Sequence, residues 1–184
     1  MNQLASSGQL RASFLRWALV LVPLVMLLGF VSAQISGSGP DNPWFASLEK
    51  PSLYPPAIVF PVVWTLLYIM MGLAAATICA ARGASGRAVA LLLFAGQLVL
   101  NLVWSPLFFG MHQMTMALWL LVALDLIVLV TVILFWRVRP LAGMLLLPYL
   151  AWILFATVLN WQFLVANPGA DGDASSNAVE RVEF

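Results

Sequence analysis

The chain has 184 residues, 63% of them hydrophobic and only 8% charged, with a formal net charge of +1. Charged residues make up about a quarter of an ordinary soluble domain, so that class is excluded. A balance this close to neutral implies neither nucleic acid nor an acidic substrate as partner. The single cysteine, Cys79, allows no internal disulfide and no multi-cysteine metal site. In its apolar run it reads as inert packing.

Residues 1–13 are polar, carry Arg11, and are expected to be disordered. The first apolar segment is 14–35, with Arg16 near its start. Its rival reading is a secretory signal, with Arg11 and Arg16 as the basic region and Val31-Ser32-Ala33 as the cleavage site. The stretch 34–56 is rich in Gly, Ser, Pro and Asn, and is expected to be one long loop. Four more apolar segments follow, at 57–81, 88–109, 112–136 and 141–166. Each is long enough for a hydrocarbon core that needs about 20 apolar residues. The links between them are short, which predicts that consecutive helices are antiparallel neighbours. Residues 167–184 are small, polar and acidic, and read as a disordered tail. The fold class is therefore an all-α integral membrane protein. Its single domain, 14–166, is a five-transmembrane-helix bundle with a long loop between helices 1 and 2.

Charge placement supports the count. Five spans put Arg11, Arg16, Arg82, Arg87, Arg137 and Arg139 on one side, leaving Lys50 and Arg181 on the other. The positive-inside rule then places the N-terminus in the cytoplasm and the C-terminus outside, in a bacterial cell membrane.

Within the spans, polar and aromatic residues share faces. The second span opens after Pro55-Pro56, and Phe60, Trp64 and Tyr68 recur every fourth residue. Gly72, Ala76 and Ala80 continue the row as a small-residue seam that admits another helix or a second copy of the chain. The third span places Gln97, Asn101, Trp104 and Phe108 on one face; the fifth does the same with Tyr149, Trp152, Ala156 and Asn160. At ~1.5 Å per residue, Trp64, Asn101, Ala156 and Asn160 lie about 9–15 Å from the loop end, with Tyr68 and Trp152 deeper. Amides at that depth face the bundle interior, a partner or a ligand, because an unpaired buried polar group costs a few kcal/mol. Packing alone accounts for such faces in many membrane bundles.

Asp125 is the one acid inside a span. It is expected either to be held by Gln97 or Thr131, or to carry protons. Pro148 removes the bond to the Met144 carbonyl and is expected to kink the fifth helix. Trp17 and Trp136 read as interfacial anchors. Trp161 is an anchor or a pocket wall, and Trp119 has no assigned role. Lys50 and His112 are the cations near the mouth of the bundle. No His, Cys or Met pair is placed to grip a haem iron from both faces.

The stretch WFASLEKPSLYPPAIVFPVVWTLLYIMMG, Trp44 to Gly72, resembles the signature of the TspO/MBR family. These are tryptophan-rich sensory proteins of bacteria, with the mitochondrial translocator protein as animal relative. The strings Q-x3-N-x2-W at 97–104 and PY-x2-W-x3-A-x3-N at 148–160 resemble the family's third and fifth helices. The resemblance covers most of 44–161 and fails in the first ten residues and in the tail. It implies a retained first helix and a pocket for porphyrin or haem-type tetrapyrroles and similar flat hydrophobic ligands. A sensory, regulatory or transport-linked role follows, with no required cofactor. By that resemblance Trp64, Trp152 and Ala156 line the pocket, Asn101 and Asn160 orient the ligand, and Trp44 with Pro51 holds a lid. Phe60, Tyr68, Gln97, Trp104 and Tyr149 complete the set. Alternatives are a light-dependent protoporphyrin-degrading enzyme with redox-active Trp64 and Trp152, and a proton-coupled carrier using Asp125. A proposed sterol motif is incomplete, since Leu159-Asn160 runs into Trp161 with no basic residue before Arg181.

Overall fold

A computed structural model describes residues 7–172. Among them there is no strand. The elements are α1 (Ser7–Ile35), α2 (Pro43–Ser47), α3 (Val59–Ala80), α4 (Arg87–Ser105) with a π-helical turn at Pro106–Gly110, α5 (Met114–Val138) and α6 (Pro140–Ala166). Five helices, all but α2, are long and apolar enough to cross a membrane.

Three expectations about the connections change. Residues 7–13, read as disordered, are the first turns of α1, because Gln9, Leu10, Arg11 and Ala12 are good helix formers that continue its register. Residues 1–6 lie outside the described region. The 34–56 stretch is not loop throughout. The end of α1 takes its first residues, and α2 interrupts it: Asn42 caps that helix by accepting from the Phe45 amide at 2.9 Å, and Pro43 sits in its first turn. In the tail, 167–172 form turns bonded to the rest of the protein, and 173–184 lie outside the described region.

The short link 81–86 does not make α3 and α4 close neighbours. The extensive contacts run α1, α3, α6, α5, α4 in that order, and α4 meets α1 and α3 only sparsely. Six residues reach up to about 20 Å, enough to pass over an adjacent helix. Arg87 closes the link by donating to the Ile78 and Cys79 carbonyls, both at 3.0 Å, where α3 ends in unpaired acceptors.

Close approach of α1 depends on glycine. A Cβ built on Gly72 lies 2.6 Å from the Val22 Cα, so at Gly72 the small-residue seam of α3 meets α1 of the same chain. Pro106 has no amide to give the Leu102 carbonyl, and in a membrane no water replaces it. Ser32 of α1 does so, its Oγ donating to Leu102 at 2.6 Å.

Two cores result. The larger fills the bundle and includes Tyr68, Leu124, Phe135 and Tyr149. The smaller sits beneath α2 at the end opposite the arginines, and joins Trp44 and Phe45 to Phe108, Met114 and Phe163.

Candidate ligand-binding site

The amides of α4 meet aromatic donors from other helices. Tyr149 of α6 donates its hydroxyl to Gln97 Oε1 at 2.8 Å, and Tyr68 of α3 reaches Asn101 Oδ1 at 3.4 Å. One level nearer the loop end, Trp104 Nε1 donates to Asn160 Oδ1 at 3.3 Å, and Asn160 Nδ2 donates to the Met114 carbonyl at 3.0 Å. These bonds join α3 to α4, α4 to α6 and α6 to the start of α5. Each bond crosses between helices and removes a polar group from lipid.

The rings form a column along these amides. Trp64 stacks on Tyr68 at 5.2 Å and meets Tyr149 edge-on at 6.4 Å. Trp104 stacks on Phe108 at 5.1 Å, and Phe108 meets Trp44 at 5.5 Å. Trp104 packs against both cores, so the column runs from mid-bundle to the connection between α1 and α3, which with α2 forms a cap over the bundle. Ala156 is partly buried against the larger core.

Trp152 departs from this group. It touches Phe60 at 6.0 Å and Phe155 at 5.3 Å. With Val63, Leu66, Leu67, Met70, Pro148 and Ala151 it lines an open cleft of about 420 Å³ between α3 and α6. Phe60 in turn stacks on Tyr54 at 5.4 Å, which links this side to the cap. Trp44 is buried in the cap, and its indole lies flat against His112 at 4.3 Å.

Beside these rings two buried donors, Gln97 Nε2 and Trp44 Nε1, have no acceptor among the described residues. They lie at the two ends of the column. Lys50, expected at the pocket mouth, is instead tied into its own loop. Its ammonium donates to the Phe45 carbonyl and to the Leu48 carbonyl at 2.9 Å, and lies 4.4 Å over the Phe45 ring. Partial burial pushes its pKa down.

Asp125 is held by neither Gln97 nor Thr131. Thr157 of α6 donates to its Oδ2 at 2.8 Å, while Thr131 turns to the Ile127 carbonyl at 2.7 Å. A residue on α6 takes that role because α5 packs most extensively against α6. Thr157 also lines a second open cleft, of about 310 Å³, with Trp119 and Trp161 on the outer side of α5 and α6.

Two contributors escape sequence reading. A Cβ on Gly29 of α1 would overlap the Tyr68 ring and hydroxyl, so this glycine makes the space in which Tyr68 reaches Asn101. Ser32, one turn on, holds α4 to α1. The only signal for Gly29 was a glycine inside an apolar helix, which marks close packing without naming its partner.

The TspO/MBR family model matches residues 19–166. Protein CrtK of Rhodobacter capsulatus is 41% identical over 127 residues, 68% of this chain and 79% of the relative. Tryptophan-rich protein TspO of Chlorobaculum tepidum is 39% identical over 148 residues, covering 80% and 93%. Translocator protein of Sus scrofa is 41% identical over 155 residues, covering 83% and 89%. The matched stretch begins inside α1 and ends with α6, and it takes in all the residues of the column and its amides. This chain therefore belongs to the TspO/MBR family, and it is a multi-pass membrane protein that lives in a lipid bilayer.

Proposed function

We propose that this protein is a receptor or sensor that takes porphyrin-type tetrapyrroles and similar flat hydrophobic ligands into the aromatic column between α3, α4 and α6. The observation that carries this reading is the pair of buried donors without acceptors, Gln97 Nε2 and Trp44 Nε1. Each such group costs about 1–3 kcal/mol, and a ligand oxygen or ring nitrogen would recover that cost. Stacked rings flank them, as a planar ligand requires. Relatives named tryptophan-rich sensory protein and translocator protein favour a sensory or transport-linked output. Trp64 and Ala156 serve as walls, and Trp152 lines the adjoining cleft between α3 and α6. The amide of Asn160 is engaged at both ends, so orienting the ligand falls first to Asn101 and Gln97. Titration of the purified protein with protoporphyrin in the dark is expected to quench tryptophan fluorescence saturably. Quenching that only tracks porphyrin partitioning into detergent overturns the reading.

One observation favours a second activity at the same site. Trp64, Tyr68 and Tyr149 are three oxidisable rings in contact, as a light-dependent breakdown of protoporphyrin would use. Chromatography of the porphyrin after illuminated and dark incubation separates the two: a product formed only with protein and light identifies the enzyme.

We further infer that the arginine end faces the cytoplasm. That end carries Arg11, Arg16, Arg82, Arg87, Arg137 and Arg139, while the loop end has only Lys50 among the described residues. A reporter joined after Phe184 is expected to work only outside the cytoplasm. Activity of a cytoplasm-only reporter there reverses the orientation.

A further inference from the structure

We propose that Asn167 and Asp171, just after α6, are positioning residues of the candidate site. They strap the connection between α1 and α3 and the head of α5 over the aromatic column, and so set how long a ligand stays. The proposal rests on the ligand-binding reading above.

Asn167 makes a reciprocal pair with Glu49 across the cap. Its Oδ1 accepts from the Glu49 amide at 2.7 Å, and its Nδ2 donates to the Glu49 carbonyl at 3.0 Å. The second hydrogen of the amide goes to the Phe163 carbonyl at 3.0 Å, which anchors the side chain to the last turn of α6. Among the described residues, the cap is also held by the Asn42 Nδ2 bond to the Phe109 carbonyl, at 3.3 Å, and by ring packing. A two-bond clamp is thus a large share of what fixes Glu49 and its neighbours.

Asp171 fastens the other side. α5 has no side-chain cap of its own and no acid in its first turn. Asp171 supplies both from outside, its Oδ1 accepting from the Thr115 amide at 3.1 Å and its Oδ2 from the Thr115 hydroxyl. A carboxylate there also meets the positive end of the helix dipole. The next residue donates its amide to the His112 carbonyl at 2.8 Å, from the left-handed conformation that Gly172 adopts readily. His112 carries the connection on to Trp44, on which it stacks. Ala170 packs against the cap's core between the two clamps. One six-residue segment therefore grips the cap and the α4–α5 turn, and the indole with the unpartnered Nε1 lies at that junction.

The test uses the full chain in nanodiscs, with Asn167→Ala and the milder Asp171→Asn. Hydrogen exchange at the Glu49 and Thr115 amides and protoporphyrin dissociation after dilution are both read. Asn167→Ala is expected to speed Glu49 exchange and porphyrin release by about tenfold each, as loss of two modest hydrogen bonds implies. Asp171→Asn keeps one acceptor, so its effect at Thr115 should be smaller. Unchanged Glu49 exchange in Asn167→Ala overturns the strap. Faster exchange with unchanged porphyrin release overturns its role at the site while leaving ligand binding intact. If the parent protein itself binds no porphyrin, the ligand reading fails first and this proposal falls with it.

Discussion

Replacing both Trp64 and Trp152 by Ala is expected to weaken porphyrin affinity by about ten- to a hundredfold. An aromatic pair contributes about 0.5–1.5 kcal/mol beyond area burial, and each 1.4 kcal/mol is roughly tenfold in affinity. The single variants should differ in kind. Trp64 stacks on Tyr68, so its loss also loosens a ring that reaches Asn101. Trp152 lines the cleft between α3 and α6, so its loss widens an opening toward lipid. Trp119→Phe is the control, since Trp119 is 68% exposed on the outer side of α5 and α6. Affinities are measured in one detergent with melting followed in parallel. A folded double variant that binds porphyrin as tightly as the parent removes both tryptophans from the site.

Gly29→Val should destabilise the bundle by about 1–3 kcal/mol, the usual cost of forcing extra carbons into a filled space. The added side chain meets the Tyr68 ring, which is itself backed by Trp64 and, edge-on at 6.2 Å, by Phe30. The ring cannot swing aside without leaving Asn101. Porphyrin affinity should therefore fall together with stability. A double-mutant cycle identifies the cause: in a Tyr68→Ala background the vacated space takes the valine, and Gly29→Val becomes nearly harmless. Strictly additive losses would mean that Gly29 matters for something other than Tyr68.

Much of the architecture was legible before any coordinates. Span length and an unbroken apolar run are local properties, and so is the segregation of arginine to one end. The helical repeat placed Gln97, Asn101 and Trp104 on one face and Tyr149, Ala156 and Asn160 on another, because side chains three and four residues apart share a face. Long-range pairing was not legible. The partner of Asp125 is Thr157 rather than Gln97 or Thr131, because α5 packs on both α4 and α6 and its rotation decides which of them the carboxylate faces. Trp152 shares a stripe with Tyr149 yet turns to the α3–α6 cleft, since helix rotation depends on every neighbour at once. Residues 7–13 and 167–172 were misread because polar composition resembles disorder until a continuing helix or a bonded partner orders it. Sequence by itself determined which side chains share a face on which helix. Tertiary structure alone decided that Gly29 makes room for Tyr68, that Ser32 satisfies the carbonyl orphaned by Pro106, and that Asn167 holds Glu49 while Asp171 holds the start of α5. Each joins positions tens of residues apart, and no local propensity carries information across that distance.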